Sequence, residues 1–459
     1  MLLTVDIGTS SFKSAIFDYD GKRLSFASSP LSMDINADCS QWLKAFKDCC
    51  QKLENLAKVE AVVISGNGPS LVPVFGGPKV ENGELSVPAG RTRFWLNRSA
   101  AKYQEEVSAV MGGFVDACFF LPKILKIKNE DEQLYLKTKT FLGVPEYFAY
   151  ALTGAAKTVF PSEGFDRWFW NDAVLEKLGL DAAKFPPFIR PGEAYGKITQ
   201  TAADTFGITK NIPVITGGPD FFAAIMGSGA MKPSQACDRT GSSEGINLCT
   251  QNMVLDRRLM SYGHPVKPYW NLSGTINTTG KAIEWCKDFL GINSYDDFFA
   301  LAQKSKTGSG GLVFVPYLSG ERAPIWNSNA RALWRGIGLS TGRSEFANSV
   351  LEGIGFAIRD VIGVMEINNV HVDELRVTGR LAAVESLNQI KADISGKQVI
   401  TPVIKETELL GLAITGLCFM NKFKSIAEAS SAIVKTEATY EPNQKNADLY
   451  KELFLEYKK

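Results

Sequence analysis

The stretch Leu2-Leu3-Thr4-Val5-Asp6-Ile7-Gly8-Thr9-Ser10-Ser11-Phe12-Lys13 constrains the fold more than any other, because an apolar run meets an acid and passes at once into a glycine-and-hydroxyl turn. A carboxylate in so apolar a run belongs at the strand end, where it can hold hydrated Mg²⁺. Gly8 lets backbone approach a ligand closely, Thr9 and Ser10 offer hydroxyl and amide donors to phosphate oxygens, and Lys13 adds a positive charge just beyond. The same residues also suit an ordinary β-hairpin with Asp-Ile-Gly-Thr as its turn, and the stretch alone does not choose.

A chain of 459 residues, 45% of them hydrophobic, exceeds what one core usually fills and points to two large domains. Fifty basic against forty-nine acidic residues leave a formal charge of +1, so neither nucleic acid nor an anionic membrane is expected as partner, and phosphate recognition must be local. The eight cysteines are scattered without a C-x-x-C pair, which argues against a metal or disulfide framework. Only His264 and His371 are available, and both read as loop or surface residues. With no basic-then-apolar leader and no stretch long enough to span a bilayer, the expected location is the cytosol.

In order along the chain, Ser14–Phe17 and Leu24–Leu31 read as strands, the pattern from Trp42 to Leu56 as a helix, and Ala61–Ser65 as a buried strand opening into Gly66-Asn67-Gly68-Pro69-Ser70. Loops at such strand ends bind ligands in open α/β sheets, although an ordinary connection fits this one equally well. Arg91, Arg93, Trp95, Asn97 and Arg98 mix an aromatic with polar groups, as a small polar-ligand site or a solvated surface would. Phe141–Gly154 reads as a helix, and Trp168 and Trp170 in the aromatic loop 160–170 as core residues. Ile212–Thr216 is a strand leading through Gly217-Gly218-Pro219 to Asp220 and a helix beginning near Phe221, where Asp220 is a helix cap or a functional acid. A second glycine-and-hydroxyl turn, Thr240-Gly241-Ser242-Ser243, comes next. Residues 253–270 read as loop; Gly280–Leu290, Ser344–Glu366, Ala383–Ser395 and Glu408–Met420 as helices; Leu312–Pro316, Leu375–Thr378 and Gln398–Val403 as strands; and the end of the chain, from Asn446, as a solvated helix or tail. The domain boundary is placed near Gly227, giving domains 1–226 and 227–459.

Two blocks then carry a resemblance. Ala332-Leu333-Trp334-Arg335-Gly336-Ile337, followed after seven residues by Glu345-Phe346-Ala347-Asn348-Ser349-Val350-Leu351-Glu352, and the preceding Tyr317-Leu318-Ser319-Gly320-Glu321-Arg322, resemble signatures of the FGGY family of carbohydrate kinases, xylulokinase-like members included. The resemblance runs nearly end to end. It implies an α/β fold of two ribonuclease-H-like, actin-like ATPase domains flanking a deep cleft for ATP and sugar. It also implies ATP-dependent phosphorylation of a ketose such as a pentulose, or of a related polyol, with ATP and Mg²⁺ as cofactors, and it leaves room for a homodimer. By this likeness Asp220 is the catalytic base. Asp6, Gly8, Thr9, Ser10 and Lys13 form the first phosphate motif, Thr240, Gly241, Ser242 and Ser243 the second, and Gly379, Arg380 and Asn388 the adenosine side. Asn67, Pro69, Asn97, Arg98, Asp220 and Phe221 face the acceptor, and Asp6 with Asp220 holds Mg²⁺ through water.

The departures cluster on the acceptor side. Asn97 stands where the family has an acid, the loop 66–70 lacks a Gln usual in xylulokinases, Lys126 replaces a Trp, and Arg380 replaces a second Gly. They keep a second reading open, that of a catalytically weak sugar- or nucleotide-binding protein on the same fold.

Overall fold

Leu2, Leu3, Val5 and Ile7 have no solvent exposure, so the opening run is a strand buried on both faces, β1 (Leu2–Ile7). The computed structural model describes residues 1–32, 39–81 and 83–459. They divide into two compact units, Met1–Gly227 with Glu408–Ile433, and Ser228–Thr407 with Val434–Lys459. The cut expected near residue 227 lies at the first crossing between units, and the chain crosses twice more, near 407 and 433.

In the first unit β1 pairs antiparallel with β2 (Ser11–Phe17), which pairs antiparallel with β3 (Arg23–Pro30). The next helix, α1 (Ser40–Lys52), buries Trp42, Phe46 and Cys49 and returns the chain to β4 (Ala61–Gly66), parallel to β1. A parallel neighbour requires such a crossover, and strands covered on both faces read as continuous apolar runs. Two further strands, β5 (Ala194–Lys197) and β6 (Pro213–Pro219), complete a six-stranded sheet of order β5-β6-β4-β1-β2-β3, with β6 parallel to β4.

Register carries the functional consequence. Ile7 pairs with Gly66, and Gly66 with Pro219, so the three parallel strands end level. Between Thr216 and Pro219 the pairing slips by one residue, a bulge at Gly217-Gly218 with Gly218 at φ +79°. Such a bulge bends the strand and re-aims the chain beyond it, here the helix α3 (Asp220–Ser228). One segment between β4 and β5 differs from the sequence expectation. Phe141 opens no helix; Thr140–Gly143 is a strand paired with Leu71–Val74, and the helix α2 (Val144–Thr153) starts only afterwards, with Pro145 in its first turn.

The late helix Thr407–Phe419 also belongs, from Glu408 onward, to this first unit. A Cβ on Gly411 would stand 1.9 Å from the Ala223 carbonyl oxygen of α3, and one on Gly217 would stand 2.0 Å from Leu412 Cδ2. Only glycine permits both approaches, so the ground beneath Asp220 is partly supplied from the far end of the sequence.

The second unit holds a seven-stranded sheet. Its strands are β7 (Gln235–Thr240), β8 (Glu244–Thr250), β9 (Met260–Gly263), β10 (Trp270–Ile276), β11 (Glu374–Thr378), β12 (Gln398–Pro402) and β13 (Thr436–Tyr440), in the order β9-β10-β8-β7-β11-β12-β13. The loop expected over 253–270 thus contains an edge strand, β9, whose Ser261, Tyr262 and Gly263 are buried. His264 is buried too, its Nε2 3.1 Å from the Ala230 carbonyl and its Nδ1 accepting from the Val266 amide, so it is a core residue and not a surface one. The long helix α4 (Arg343–Ile367) places Glu352 in the core, where Oε1 accepts from the Gly308 amide, Asn348 and Tyr450, and Oε2 from the Ser309 hydroxyl at 2.6 Å. The helix α5 (Glu385–Ser395) precedes β12, and the terminal helix α6 (Gln444–Lys458) is no solvated tail, because Tyr450, Leu453 and Tyr457 bury one face of it. All eight cysteines are free. Among the described residues no helix is long and apolar enough to cross a membrane.

Glu146, in the first turn of α2, lies buried in the first unit, where its carboxyl accepts from the Val159 amide, 3.3 Å away, and from its own amide. Burial pushes its carboxyl up to about 7 from an ordinary 4.5. Between those values the unfolded chain loses the proton and the folded chain keeps it, so this group costs stability as pH rises through the window. Glu146→Gln is expected to match the parent near pH 4 and to exceed it by about 3 kcal/mol near pH 8. Urea unfolding at the two pH values measures this; an equal effect at both would remove Glu146 as the source.

Candidate functional site

Where β1, β4 and β6 end, each releases one of the residues singled out by sequence: Gly8 after Ile7, Asn67 after Gly66, and Asp220 after Pro219. Asp6, one residue before the end of β1, is 5% exposed and is the cross-strand partner of Lys13 on β2. Directly opposed residues project from one face, so the acid and the cation share a side of the sheet. The Gly8 amide closes the turn by donating to Ser11 O at 3.0 Å, and a Cβ on Gly8 would sit 2.8 Å from that oxygen. Thr9 and Ser10 reach the surface, with Thr9 Oγ1 accepting from the Trp95 indole at 3.3 Å.

Asn67 is spent inside the protein. Its Nδ2 donates to Ile7 O at 3.0 Å and Gly8 O at 2.9 Å, and its Oδ1 accepts from the Ser70 hydroxyl, which in turn receives the Trp95 amide. Asn67 therefore locks the first turn to the loop 66–70 and, through Ser70, to the segment carrying Trp95. A second lock was not foreseen from the sequence. Lys123, 2% exposed, donates to Pro69 O at 2.8 Å, Phe94 O at 2.9 Å and Arg93 O at 3.2 Å, tying the same two segments together. Burial pushes its ammonium down to about 7. The signal was present as a lone lysine in the apolar helical run Phe120-Leu121-Pro122-Lys123-Ile124-Leu125. The substituted Lys126 pairs with Glu130 along the helix.

Pro69 is half-buried beside this clamp. Asn97 caps its own turn by accepting the Ser99 amide at 2.9 Å, while Arg98, exposed, pairs with Asp116. Asp220 opens α3 with Oδ1 accepting from the Phe221 amide at 2.7 Å. Phe221 lies nearly parallel to Phe165, their ring centres 6.4 Å apart, and Phe165 meets Trp168, which stacks on Phe119 at 5.3 Å. Trp168 and Trp170 are core residues as expected, and their cluster forms an apolar wall leading to Phe221.

In the second unit, Thr240 Oγ1 donates to Thr378 O at 2.7 Å, and Gly379, at φ +82°, abuts Thr240 so closely that a Cβ would stand 2.1 Å from its carbonyl oxygen. The carbonyls of Gly241 and Ser242 accept from the amides of Thr279, Gly280 and Lys281. That leaves the amides of Gly241, Ser242 and Ser243 and the two serine hydroxyls without a hydrogen-bond partner among the described residues. Clustered open amides of this kind form an anion-binding concavity, so the residues present fit a phosphate. Arg380 lays its guanidinium over the Tyr295 ring, 5.0 Å from its centre. Asn388 does not reach the surface: wholly buried, it donates to Ala382 O at 2.9 Å and braces the turn that carries Arg380 from within.

No group of three or more His, Cys, Asp or Glu residues able to hold a metal occurs among the described residues. Asp6 and Asp220 nevertheless suit a hydrated Mg²⁺, which keeps most of its waters and takes one or two carboxylates together with substrate phosphates.

The N-terminal domain of the FGGY family of carbohydrate kinases matches residues 1–227, and its C-terminal domain matches residues 239–420. A xylulose kinase from Staphylococcus epidermidis is 25% identical over 100% of this chain and 95% of its own, and a gluconokinase from Bacillus subtilis is 24% identical over 98% and 94%. Among solved structures, a xylulose kinase from Lactobacillus acidophilus superposes with a TM-score of 0.84 at 21% identity, over 100% of this chain and 97% of its own. The fold is thus the two-domain actin-like ATPase fold of these kinases.

The Asn67 lock is directly testable. Asn67→Asp turns a donor facing two carbonyls into an acceptor, leaving buried groups unmatched at a cost of about 2 kcal/mol or more. Urea unfolding is expected to show that loss while Asn97→Asp, on a half-exposed turn, stays near the parent; equal stability of Asn67→Asp would mean the amide is not the lock.

Proposed function

From the premise that this chain belongs to the FGGY family of carbohydrate kinases and is a sugar kinase, we propose that it transfers the γ-phosphoryl group of ATP to a hydroxyl of a ketose or related polyol, with Asp220 as general base. The observation that carries this reading is the shared ending of β1, β4 and β6, from which Asp6, the Gly8–Ser10 turn and Asp220 all emerge.

Phosphoryl transfer through a loose transition state asks little covalent chemistry of the protein. It asks for an aligned acceptor, donors on the phosphate oxygens and a modest base. Asp220 takes the proton of the acceptor hydroxyl as the new P–O bond forms. Its backbone is fixed by the Gly217-Gly218 bulge and by the glycine contact with the helix Thr407–Phe419, so little reorganisation is needed at the moment of transfer. Thr9, Ser10 and Lys13 are the first phosphate grip, and the open amides and hydroxyls of Gly241, Ser242 and Ser243 the second. Gly379 and Arg380 serve the adenosine side, with Arg380 held out by its stacking on Tyr295. Asp6, with Asp220, would hold Mg²⁺ through water, and the ion when bound would neutralise charge on the phosphates.

On the acceptor side, Phe221 and the aromatic wall behind it offer an apolar face, while Asn97, Arg98 and the Pro69 loop offer polar contacts. Asn67 acts by holding that loop. The unpaired cysteines suit a reducing compartment, and the cytosol is the location we propose.

ADP release measured with pentuloses, hexuloses, gluconate, glycerol and erythritol as acceptors tests the reading, and turnover stimulated by none of them would sink it. With the best acceptor, Asp220→Asn should lower kcat by about 10²–10⁴-fold while leaving acceptor binding within a few-fold of the parent. A near-normal rate would remove Asp220 as the base.

A further inference from the structure

The second unit buries a lysine that the proposed reaction does not use. Lys391, on α5, has a side chain with no solvent exposure; its Nζ lies 2.7 Å from Asp238 Oδ2 and also bonds Glu244 Oε1, and both of those side chains are likewise fully buried. Their positions are specific. Asp238 lies on β7 two residues before the end of the strand at Thr240, and Glu244 is the first residue of β8, so the carboxylates stand at the two feet of the turn Gly241–Ser243.

A hairpin does not need such an arrangement. Two acids and one base drawn out of water are seldom a net stabilising choice, and apolar residues of similar volume usually do as well or better. The Asp238 and Glu244 carboxyls moreover face each other in this buried place, with Asp238 Oδ1 and Glu244 Oε2 out of contact with water. Burial, then repulsion from Glu244, holds the Asp238 carboxyl well above the usual carboxylate range, while the two acids outweigh burial and keep Lys391 charged. The cluster therefore carries a cost that core stability leaves unexplained.

Its connections suggest what that cost obtains. One helical turn before Lys391, on the same helix, Asn388 braces Ala382 in the turn that carries Arg380. Thr240 bonds Thr378, the residue before Gly379. Lys391 thus joins the feet of one ligand loop to the helix that supports the other.

We propose that Asp238, Lys391 and Glu244 are positioning residues for the donor nucleotide, fixing the Gly241–Ser243 turn to the helix beneath Arg380 so that its open amides are set for phosphate before ATP arrives. This rests on the reading of that turn as a phosphate grip.

The test is ADP binding to the purified full-length protein by isothermal titration calorimetry, with thermal unfolding and steady-state kinetics alongside. Glu244→Met leaves a one-to-one Lys391–Asp238 pair and should unfold close to the parent temperature, yet bind ADP about tenfold more weakly, a loss of about 1.4 kcal/mol. The KM for ATP should rise with it, and the KM for the acceptor should not. Lys391→Met strands two buried acids and is expected to unfold early; the triple change Asp238→Asn, Glu244→Gln, Lys391→Met removes all charge, should recover the unfolding temperature, and should still bind ADP weakly. Parent-like ADP affinity in folded Glu244→Met or in the triple variant overturns the positioning role, as does an equal rise in both KM values. Failure of the parent protein itself to bind ADP or ATP overturns the phosphate reading of the turn, and the positioning role with it.

Discussion

Three parallel strands that end level are the constraint on which the first unit depends. A parallel ladder fixes register along its whole length, so once Ile7, Gly66 and Pro219 are aligned, the residues just beyond them leave the sheet together. Strand ends, however, expose carbonyls that the ladder no longer serves. Asn67 covers two of them, Ile7 O and Gly8 O, and so converts a place where the sheet would fray into a rigid rim. Lys123 binds three more carbonyls farther along, Pro69 O, Arg93 O and Phe94 O, the last two of which also accept backbone amides. The polar groups aimed outward can then be few, because those aimed inward hold the backbone still.

The second unit solves a similar problem by close approach. Gly379 lies against Thr240, and a Cβ on Gly280 would stand 2.3 Å from the Gly241 carbonyl oxygen. These contacts bring the carbonyls of Gly241 and Ser242 onto the amides of residues 279–281 and leave the amides of the turn itself out of that pairing.

The features legible in the sequence were those set by local pattern. The apolar run ending at Asp6, the strand before Asp220, the long helix through Glu352 and the two hydroxyl turns all announce themselves within a dozen residues, and the family signature added the order in which to read them. The illegible features depend on partners distant in sequence. Asn67 looked like an acceptor contact because nothing nearby shows that Ile7 and Gly8, some sixty residues earlier, claim its amide. Asn388, which the family resemblance puts on the adenosine side, is wholly buried by the packing of α5, which no local pattern announces. Phe141 and Leu142 fit a helical pattern as well as a strand, and only pairing with Leu71–Val74 decides. Lys123 and Lys391 are buried cations whose oxygen partners come from elsewhere in the chain, and no periodicity encodes them.

The segment Glu408–Ile433 has a consequence for how the protein is made. Gly411 and Leu412 pack against α3 and β6, so the first unit lacks part of its own interior until residues more than four hundred positions from the start have left the ribosome. By then most of the second unit has already been synthesised. The two units are thus finished almost together: the Asp220 corner of the first is closed by a helix made after residues 228–407 of the second, and the second in turn waits for Val434–Lys459.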